Sequence, residues 1–161
     1  MSEENQQLIE KFYSAFSNKN FEEMASCYSE NIEFEDPVFG VLTGIKPSAM
    51  WRMLIEKSKD LKIEFSDIKA DEAQGSVSWK ATYPFGKTGR IIENSIEASF
   101  KFENGKILYH KDNFSLWKWC SMAFGLSGLI LGWSPFMQGP VRKEAKAGLD
   151  LFIKRRRLGS G

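Results

Sequence analysis

Histidine, cysteine and surplus charge are what this chain has least of. It holds one His, His110, and two Cys, Cys27 and Cys120, in 161 residues. A lone His and two distant thiols without a CxxC spacing cannot assemble the usual zinc ligand sets, so no metal site is expected. Reduced thiols in a cytoplasmic protein are the simplest reading of so few cysteines. Lys and Arg number 22 against 21 Asp and Glu. No strong field is therefore present to gather phosphate backbones, and nucleic acid is not expected as a partner. The opening MSEENQQLIEK lacks the basic start and apolar core of a signal peptide. The apolar run from Cys120 to Trp133 is shorter than the ~18 residues that a bilayer span needs.

The composition is 42% hydrophobic and 14% aromatic, enough for one domain that buries about 70% of its unfolded surface. Leu8, Ile9, Phe12, Tyr13 and Phe16 recur at helical spacing and predict a first helix ending near Ser17. Asn20 with Glu23 forms a capping-box pattern that opens a second short helix, with Phe21, Met24 and Tyr28 on one face. Pro47 to Lys57 predicts a third helix that buries Met50, Met53 and Leu54, with Trp51 at the edge of the stripe.

Elsewhere the period is two. Ile32, Phe34 and Asp36 share a face, and a further strand runs from Lys62 to Asp71 with a slip in its alternation between Phe65 and Ile68, the mark of a bulge. Three longer runs alternate cleanly: Val77 to Phe85, Ile92 to Phe102, and Leu108 to Leu116. Each presents one apolar and one polar face, as an antiparallel sheet with one buried side should. Gly86-Lys87-Thr88-Gly89 and Glu103-Asn104-Gly105 read as hairpin turns. The stretch ATYPFGKT, Ala81 to Thr88, mimics a phosphate-binding loop, but it starts with Ala and leads into a strand. It is not a nucleotide site, because that chemistry needs a helix N-terminus behind the loop.

Four polar residues interrupt the apolar strand faces: Asp36, Asn94, His110 and Asp112. An unpaired buried polar group costs a few kcal/mol, so these must meet one another, water or a ligand. That points to a cavity inside the sheet. His110 and Asp112 stand two apart on one strand, roughly 7 Å between Cα atoms. They either flank a common substrate or satisfy each other without chemistry.

Two motifs then carry a family resemblance. FEDP, Phe34 to Pro37, resembles the segment that holds the general base of ketosteroid isomerase, which would fall on Asp36. GKILYHKDNF, Gly105 to Phe114, resembles the last strand of SnoaL-like proteins, whose pocket-lining His and Asp would fall on His110 and Asp112. With helices before a curved sheet, residues 5 to 116 look like the cone-shaped fold of nuclear transport factor, ketosteroid isomerase and SnoaL-like polyketide cyclases. The implied architecture is α+β: three N-terminal helices packed on a curved antiparallel sheet, plus a C-terminal helical hairpin.

Residues 1–116 are read as the cone domain, 117–158 as a helical extension that packs on it, and 159–161, Gly-Ser-Gly, as a flexible end. The resemblance implies a pocket for a small apolar molecule, without a cofactor. Asp36, His110 and Asp112 are its candidate catalytic residues, and Tyr13, Trp51, Trp79, Tyr83, Asn94, Ile96, Phe100 and Phe114 its candidate ligand contacts. An isomerase of the ketosteroid type sets a Tyr and a protonated Asp opposite its base. Here those positions fall on Phe12 and near Ala98, so Tyr13 or Asn94 would have to replace them. What remains is Asp/His proton-transfer chemistry, as in an isomerase, cyclase, dehydratase or epoxide hydrolase. The alternative is a non-catalytic binding protein for a hydrophobic metabolite.

The segment Trp119 to Pro140 is uncharged, and Gly128 and Gly132 make a GxxxG pair of the kind that close packing requires. Ser134-Pro135 opens a last helix striped by Val141, Ala145, Leu149 and Phe152, with Lys154 to Arg157 at its dipole-favoured end. The preferred reading is a lid over the open end of the cone. Association with a membrane surface through residues 120–137 competes with it, and a homodimer through the outer sheet face stays open.

Overall fold

The computed structural model describes residues 1–58 and 60–159. Helix α1 (Glu3–Ser17) starts where the Ser2 hydroxyl accepts the Asn5 N–H, with Glu3 and Glu4 at its positive end. Its buried stripe holds Ile9, Phe12, Tyr13 and Phe16. Helix α2 (Phe21–Ser26) begins at the expected cap: Asn20 Oδ1 accepts the Glu23 N–H, and its amide donates to the Glu23 carboxylate. The helix ends before Tyr28. That residue opens strand β1 (Tyr28–Asp36) instead of extending the helical face.

Strand β2 (Gly40–Thr43), absent from the sequence expectation, folds back on β1 through the turn at Asp36 and Pro37. Helix α3 (Lys46–Lys57) follows with Pro47 in its first turn. It buries Trp51 to 2% exposure, well inside the core and not at the stripe's edge.

Strands β3 (Lys62–Ala70), β4 (Gln74–Pro84), β5 (Ile91–Glu103) and β6 (Lys106–Asn113) complete a six-stranded sheet in the order β2-β1-β6-β5-β4-β3. The predicted bulge lies between Ser66 and Lys69, where Asp67 takes φ +59°. Both predicted hairpin turns form, the second with Asn104 and Gly105 in the left-handed region. The phosphate-loop mimic lies on β4 and its hairpin and leads into β5.

One pairing differs from the antiparallel expectation: β1 runs parallel to β6. The sequence alternation cannot reveal this, since both pairings place side chains with period two. α1 and α3 fill the concave side, where Phe12, Phe16 and Trp51 pack on one another and on Phe34 and Trp79.

β6 stops at Asn113, earlier than the alternation suggested, because Ser115 caps a helix by accepting the Lys118 N–H. Leu116 is thus the first residue of α4 (Leu116–Phe124) and not the end of a strand. Three helices follow the sheet where a hairpin was expected: α4, α5 (Leu126–Leu131) and α6 (Pro135–Arg156). Gly125, at φ +67°, reverses the chain between the first two. Gly128 then lets α5 press on α4, since a Cβ there would lie 1.9 Å from the Cys120 carbonyl oxygen. Gly132 likewise approaches the Cys120 side chain.

α6 begins at Ser134 and Pro135 as expected, although the Ser134 hydroxyl donates back to the Leu131 carbonyl and does not cap the helix. Its Leu149 and Phe152 join the core. Of the flexible end expected for 159–161, residues 160 and 161 lie outside the described residues. No described helix is long and apolar enough to cross a membrane.

Gly128→Ala should force α5 off α4 and destabilise the protein by roughly 1–3 kcal/mol. A thermal melt should show a midpoint lower by roughly 2–4 °C for each kcal/mol. An unchanged midpoint would contradict the close approach.

Candidate functional site

Period-two alternation on β6 points His110 and Asp112 to the concave side, and the neighbouring strands surround them. The parallel register sets Phe34 beside His110 and Glu35 beside Lys111, so one further step brings Asp36 alongside Asp112. Adjacent strands lie about 4.8 Å apart, which makes the two aspartates lateral neighbours on one face. On the other side of β6, Phe100 faces His110 and Ala98 faces Asp112.

His110 is completely buried. Phe100, Phe34 and Phe12 surround its ring at centroid distances of 4.6, 5.1 and 5.6 Å, and the Trp51 ring stacks on it at 5.9 Å. Its two nitrogens are both engaged: Nδ1 lies 2.8 Å from the Tyr28 hydroxyl, and Nε2 lies 3.0 Å from Asp112 Oδ1 and 3.4 Å from the Tyr13 hydroxyl.

The direction of these bonds follows from groups that can only donate. The Trp51 indole N–H donates to the Tyr28 oxygen at 2.8 Å. With the imidazole hydrogen on Nε2, directed at Asp112, the Tyr28 hydroxyl donates to Nδ1, and this is the tautomer in which each group along the chain has one role. Asp112 Oδ1 also accepts the Trp79 indole N–H at 3.2 Å. The result is a one-way chain from Trp51 through Tyr28 and His110 to Asp112, closed by Trp79. Burial holds the Tyr28 and Tyr13 hydroxyls well above the ordinary phenol range, with the Asp112 charge adding to it in both. Both phenols therefore stay protonated.

Asp112 is the member of this chain that reaches a cavity of about 440 Å³ between the sheet, α3 and the C-terminal helices. Such a volume lies within the range of small-molecule sites. Of the sequence candidates, Asp36, Trp51, Trp79, Tyr83, Asn94, Ile96, Asp112 and Phe114 line it. His110, Tyr13 and Phe100 do not; they stand behind the wall.

Asp36 serves a turn and the cavity together. Its Oδ1 accepts the N–H groups of Val38 and Phe39 at 2.9 and 2.6 Å, which leaves Oδ2 for a ligand. Burial, reinforced by the Asp112 charge, pushes its carboxyl up to about 7, although the two N–H bonds pull the other way. Asn94, 7% exposed, makes no hydrogen bond with the described residues and faces the cavity with its amide unpaired. Tyr83 accepts the Trp119 indole N–H at 2.9 Å, and its own hydrogen stays available.

Five contributors escaped the sequence reading. Tyr28 shares even parity with Ile32, Phe34 and Asp36, and that parity was its available signal. Trp119 and Phe124 of α4 face the cavity, as do Val141 and Ala145 of α6. Side-chain bonds hold these helices over the mouth. Arg142 Nε donates to the Pro37 carbonyl at 2.9 Å, Lys87 pairs with Glu144, and Arg156 pairs with Glu56 at 3.2 Å.

The family model described as a SnoaL-like domain matches residues 9–110. The chain therefore belongs to the SnoaL-like family, and the cone fold inferred from FEDP and GKILYHKDNF is the fold it has. Solved structures agree at the level of fold. A putative SnoaL-like polyketide cyclase from Jannaschia sp. superposes with a TM-score of 0.65 at 11% identity, covering 76% of this chain and 92% of that one. An epoxide hydrolase-like protein from M. tuberculosis gives 0.60 at 18% identity, covering 83% and 94%. A ketosteroid isomerase-like protein from Catenulispora acidiphila, solved with trimethylamine, gives 0.64 at 9% identity, covering 72% and 91%. No curated protein matches the sequence.

Because His110 is the only histidine, its tautomer can be read without assignment ambiguity. A long-range ¹H–¹⁵N spectrum near neutral pH should show a protonated Nε2 and a bare Nδ1. Tyr28→Phe should move the Nδ1 resonance most. A protonated Nδ1 in the unmodified protein would reverse the direction of the chain.

Proposed function

We propose that the protein is an acid/base enzyme that moves protons on a small, largely apolar molecule carrying one polar oxygen function. The observation that supports this reading best is the lateral pair Asp36 and Asp112, two carboxyl groups on one cavity wall: burial raises Asp36, and N–H donors hold one oxygen of Asp112. A carboxyl raised toward neutral pH is suited to act as an acid. Asp112, fixed by the His110 and Trp79 N–H groups, is the base. Asp36, pushed up to about 7, is the acid. The unpaired Asn94 amide supplies a neutral donor for the substrate oxygen, and the Tyr83 hydroxyl a second.

His110 touches neither cavity nor substrate and is a positioning residue: its Nε2–H fixes one Asp112 oxygen and leaves the other for the proton in transit. Two reaction types fit this pair. In the first, Asp112 takes a proton from carbon and Asp36 returns one elsewhere on the same molecule, an isomerisation or cyclisation. In the second, Asp112 takes a proton from water, which opens an epoxide as Asp36 protonates the departing oxygen. The epoxide hydrolase-like and cyclase-like neighbours make apolar epoxides and unsaturated ketones the substrates to try first.

A binding protein without catalysis is the competing reading. It is favoured by the Tyr13 hydroxyl, which faces His110 and so does not replace the phenol that the ketosteroid isomerase pattern sets opposite its base.

The test is turnover of apolar epoxides and β,γ-unsaturated ketones, followed by product analysis. Asp112→Asn and Asp36→Asn should each lower kcat by roughly 10²–10⁴-fold while ligand binding persists. Conversion at wild-type rates by both variants would remove the two aspartates from the chemistry, and binding without turnover across the panel would favour the carrier.

The pH dependence carries a sign. With Asp36 as the acid, kcat/KM should fall as pH rises through about 7, and the Asp36→Asn residual activity should lack that limb. Stability should move the same way. Between about pH 4 and 7 the folded state holds a proton on Asp36 that the unfolded state has lost, so raising pH destabilises the fold. Denaturant titrations across this window should show that slope in the wild type and a shallower one in Asp36→Asn.

A further inference from the structure

The outward side of the C-terminal helices carries large apolar groups in unusual density. Leu126 is 71% exposed, Leu129 54%, Ile130 58%, Trp133 65% and Phe136 79%. All lie on α5 or in the first residues after it. Clustered exposure of this kind marks an interaction surface.

The backbone beneath it is the more telling feature. The last carbonyls of any helix lack intrahelical partners, and in water the solvent satisfies them. Here the protein does so itself. The Gly128 carbonyl accepts the Gly132 N–H at 2.8 Å, and the Leu131 carbonyl accepts the N–H and hydroxyl of Ser134 at 2.9 and 2.6 Å. The Leu129 carbonyl accepts the Trp117 indole N–H at 3.0 Å, and the Ile130 carbonyl that of Trp133 at 2.7 Å. The Gly132 carbonyl accepts the Gln138 amide at 2.6 Å. Both tryptophans thereby direct their polar N–H inward and present carbon outward. Internal pairing of every such carbonyl is the requirement of a segment that leaves water.

Along the chain the flanking charge has one sign, with Glu93 of β5 the carboxylate that lies beside Lys118 and Leu129. Between Asp112 and Glu144 the charged residues are Lys118, Arg142 and Lys143, with no carboxylate among them. Lys118 and Lys143 are exposed. In a symmetric contact with a second copy these cations would meet cations. Against anionic headgroups they meet their complement. α5, at about 9 Å for six residues, is far too short to span a hydrocarbon core of about 30 Å.

We propose that α5 and the turn through Phe136 form a membrane-binding hairpin that enters the headgroup boundary of an anionic bilayer without crossing it. This surface lies on α5 and the turn after it, whereas α4 and α6 supply the cavity-facing residues, and it does not depend on the chemistry of Asp36 and Asp112.

Flotation of the full chain with vesicles tests it, using phosphatidylcholine alone and phosphatidylcholine containing about one third phosphatidylserine. The protein should float with both and more strongly with the anionic vesicles, the difference shrinking with added salt. The double variant Leu129→Glu, Ile130→Glu and the separate variant Phe136→Glu should each lose roughly tenfold or more in vesicle affinity. These side chains are exposed, and an unchanged circular dichroism spectrum and melting midpoint would confirm that both variants fold. Failure to float with either vesicle would overturn the proposal. So would binding that salt abolishes and the Glu substitutions leave intact. Self-association in sedimentation that the Glu variants abolish, without vesicle binding, would also overturn it by assigning the face to a second copy.

Discussion

The parallel pairing of β1 with β6 is the constraint on which the site rests. In a parallel pair, residues advance together, so Phe34 and Glu35 climb beside His110 and Lys111, and the next step along both strands is Asp36 and Asp112. A slip of one residue would turn Asp36 to the outer face and bring Glu35 inward. The carboxyl pair, the raised Asp36 and the cavity's polar corner would all disappear. Parallel neighbours need a long crossover, and here the crossover is most of the protein: β2, α3 and the strands β3 to β5. The elements that form the cone thus also set the register of its two functional strands.

The buried polar chain explains how the core accommodates its exceptions. A half-satisfied network is worse than an apolar core, yet from Trp51 to Trp79 each N–H finds an acceptor, and Tyr28 serves as both acceptor and donor. Histidine is the side chain that suits the middle position, because it accepts at one nitrogen and donates at the other. The aromatic rings around it exclude water that would compete for those bonds. Where the chain ends, at the cavity, its last member is a carboxylate with an oxygen to spare. The Asn94 side chain, across the wall, has no hydrogen-bond partner among the described residues. The polar groups therefore divide into a satisfied set behind the wall and an unsatisfied set on it, and only the second is available to a ligand.

Much of this was legible in the sequence, for identifiable reasons. Helix faces and the alternation of β4, β5 and β6 follow from local periodicity, which burial enforces residue by residue. Asp36, Asn94 and Asp112 stood out because polar residues broke an apolar face. His110, Tyr13 and Phe100 shared that inward face yet stand behind the wall. Alternation tells which side of a sheet a residue occupies, not how deep in the core it lies. Tyr28 was lost to the helical count because α2 stops at Ser26 and its cap carries no glycine signal. Leu116 was assigned to a strand because its parity fits β6, and the Ser115 cap that ends the strand is a local bond which outweighs parity. The partner and direction of β1 are long-range facts that no period encodes.

The C-terminal segment shows how one apolar stretch can answer two demands. As sequence, Trp119 to Pro140 supports a lid or a surface anchor, and the two readings compete for the same residues. In the fold they divide them. Trp119, Phe124, Val141 and Ala145 face the cavity, whereas Leu126, Leu129, Ile130, Trp133 and Phe136 face outward. Gly125 makes the division possible by reversing the chain at φ +67°, and Gly128 lets the returning helix lie against Cys120 without a gap. Any side chain at Gly128 would push α5 away and open the carbonyls that Trp117 and Ser134 close. The roof over the cavity and the apolar surface outside it are therefore two faces of one packed unit, held to the cone by Arg142, Glu144 and Arg156. A change that loosens α5 should be felt at Trp119 and Phe124 before it reaches the carboxyl pair.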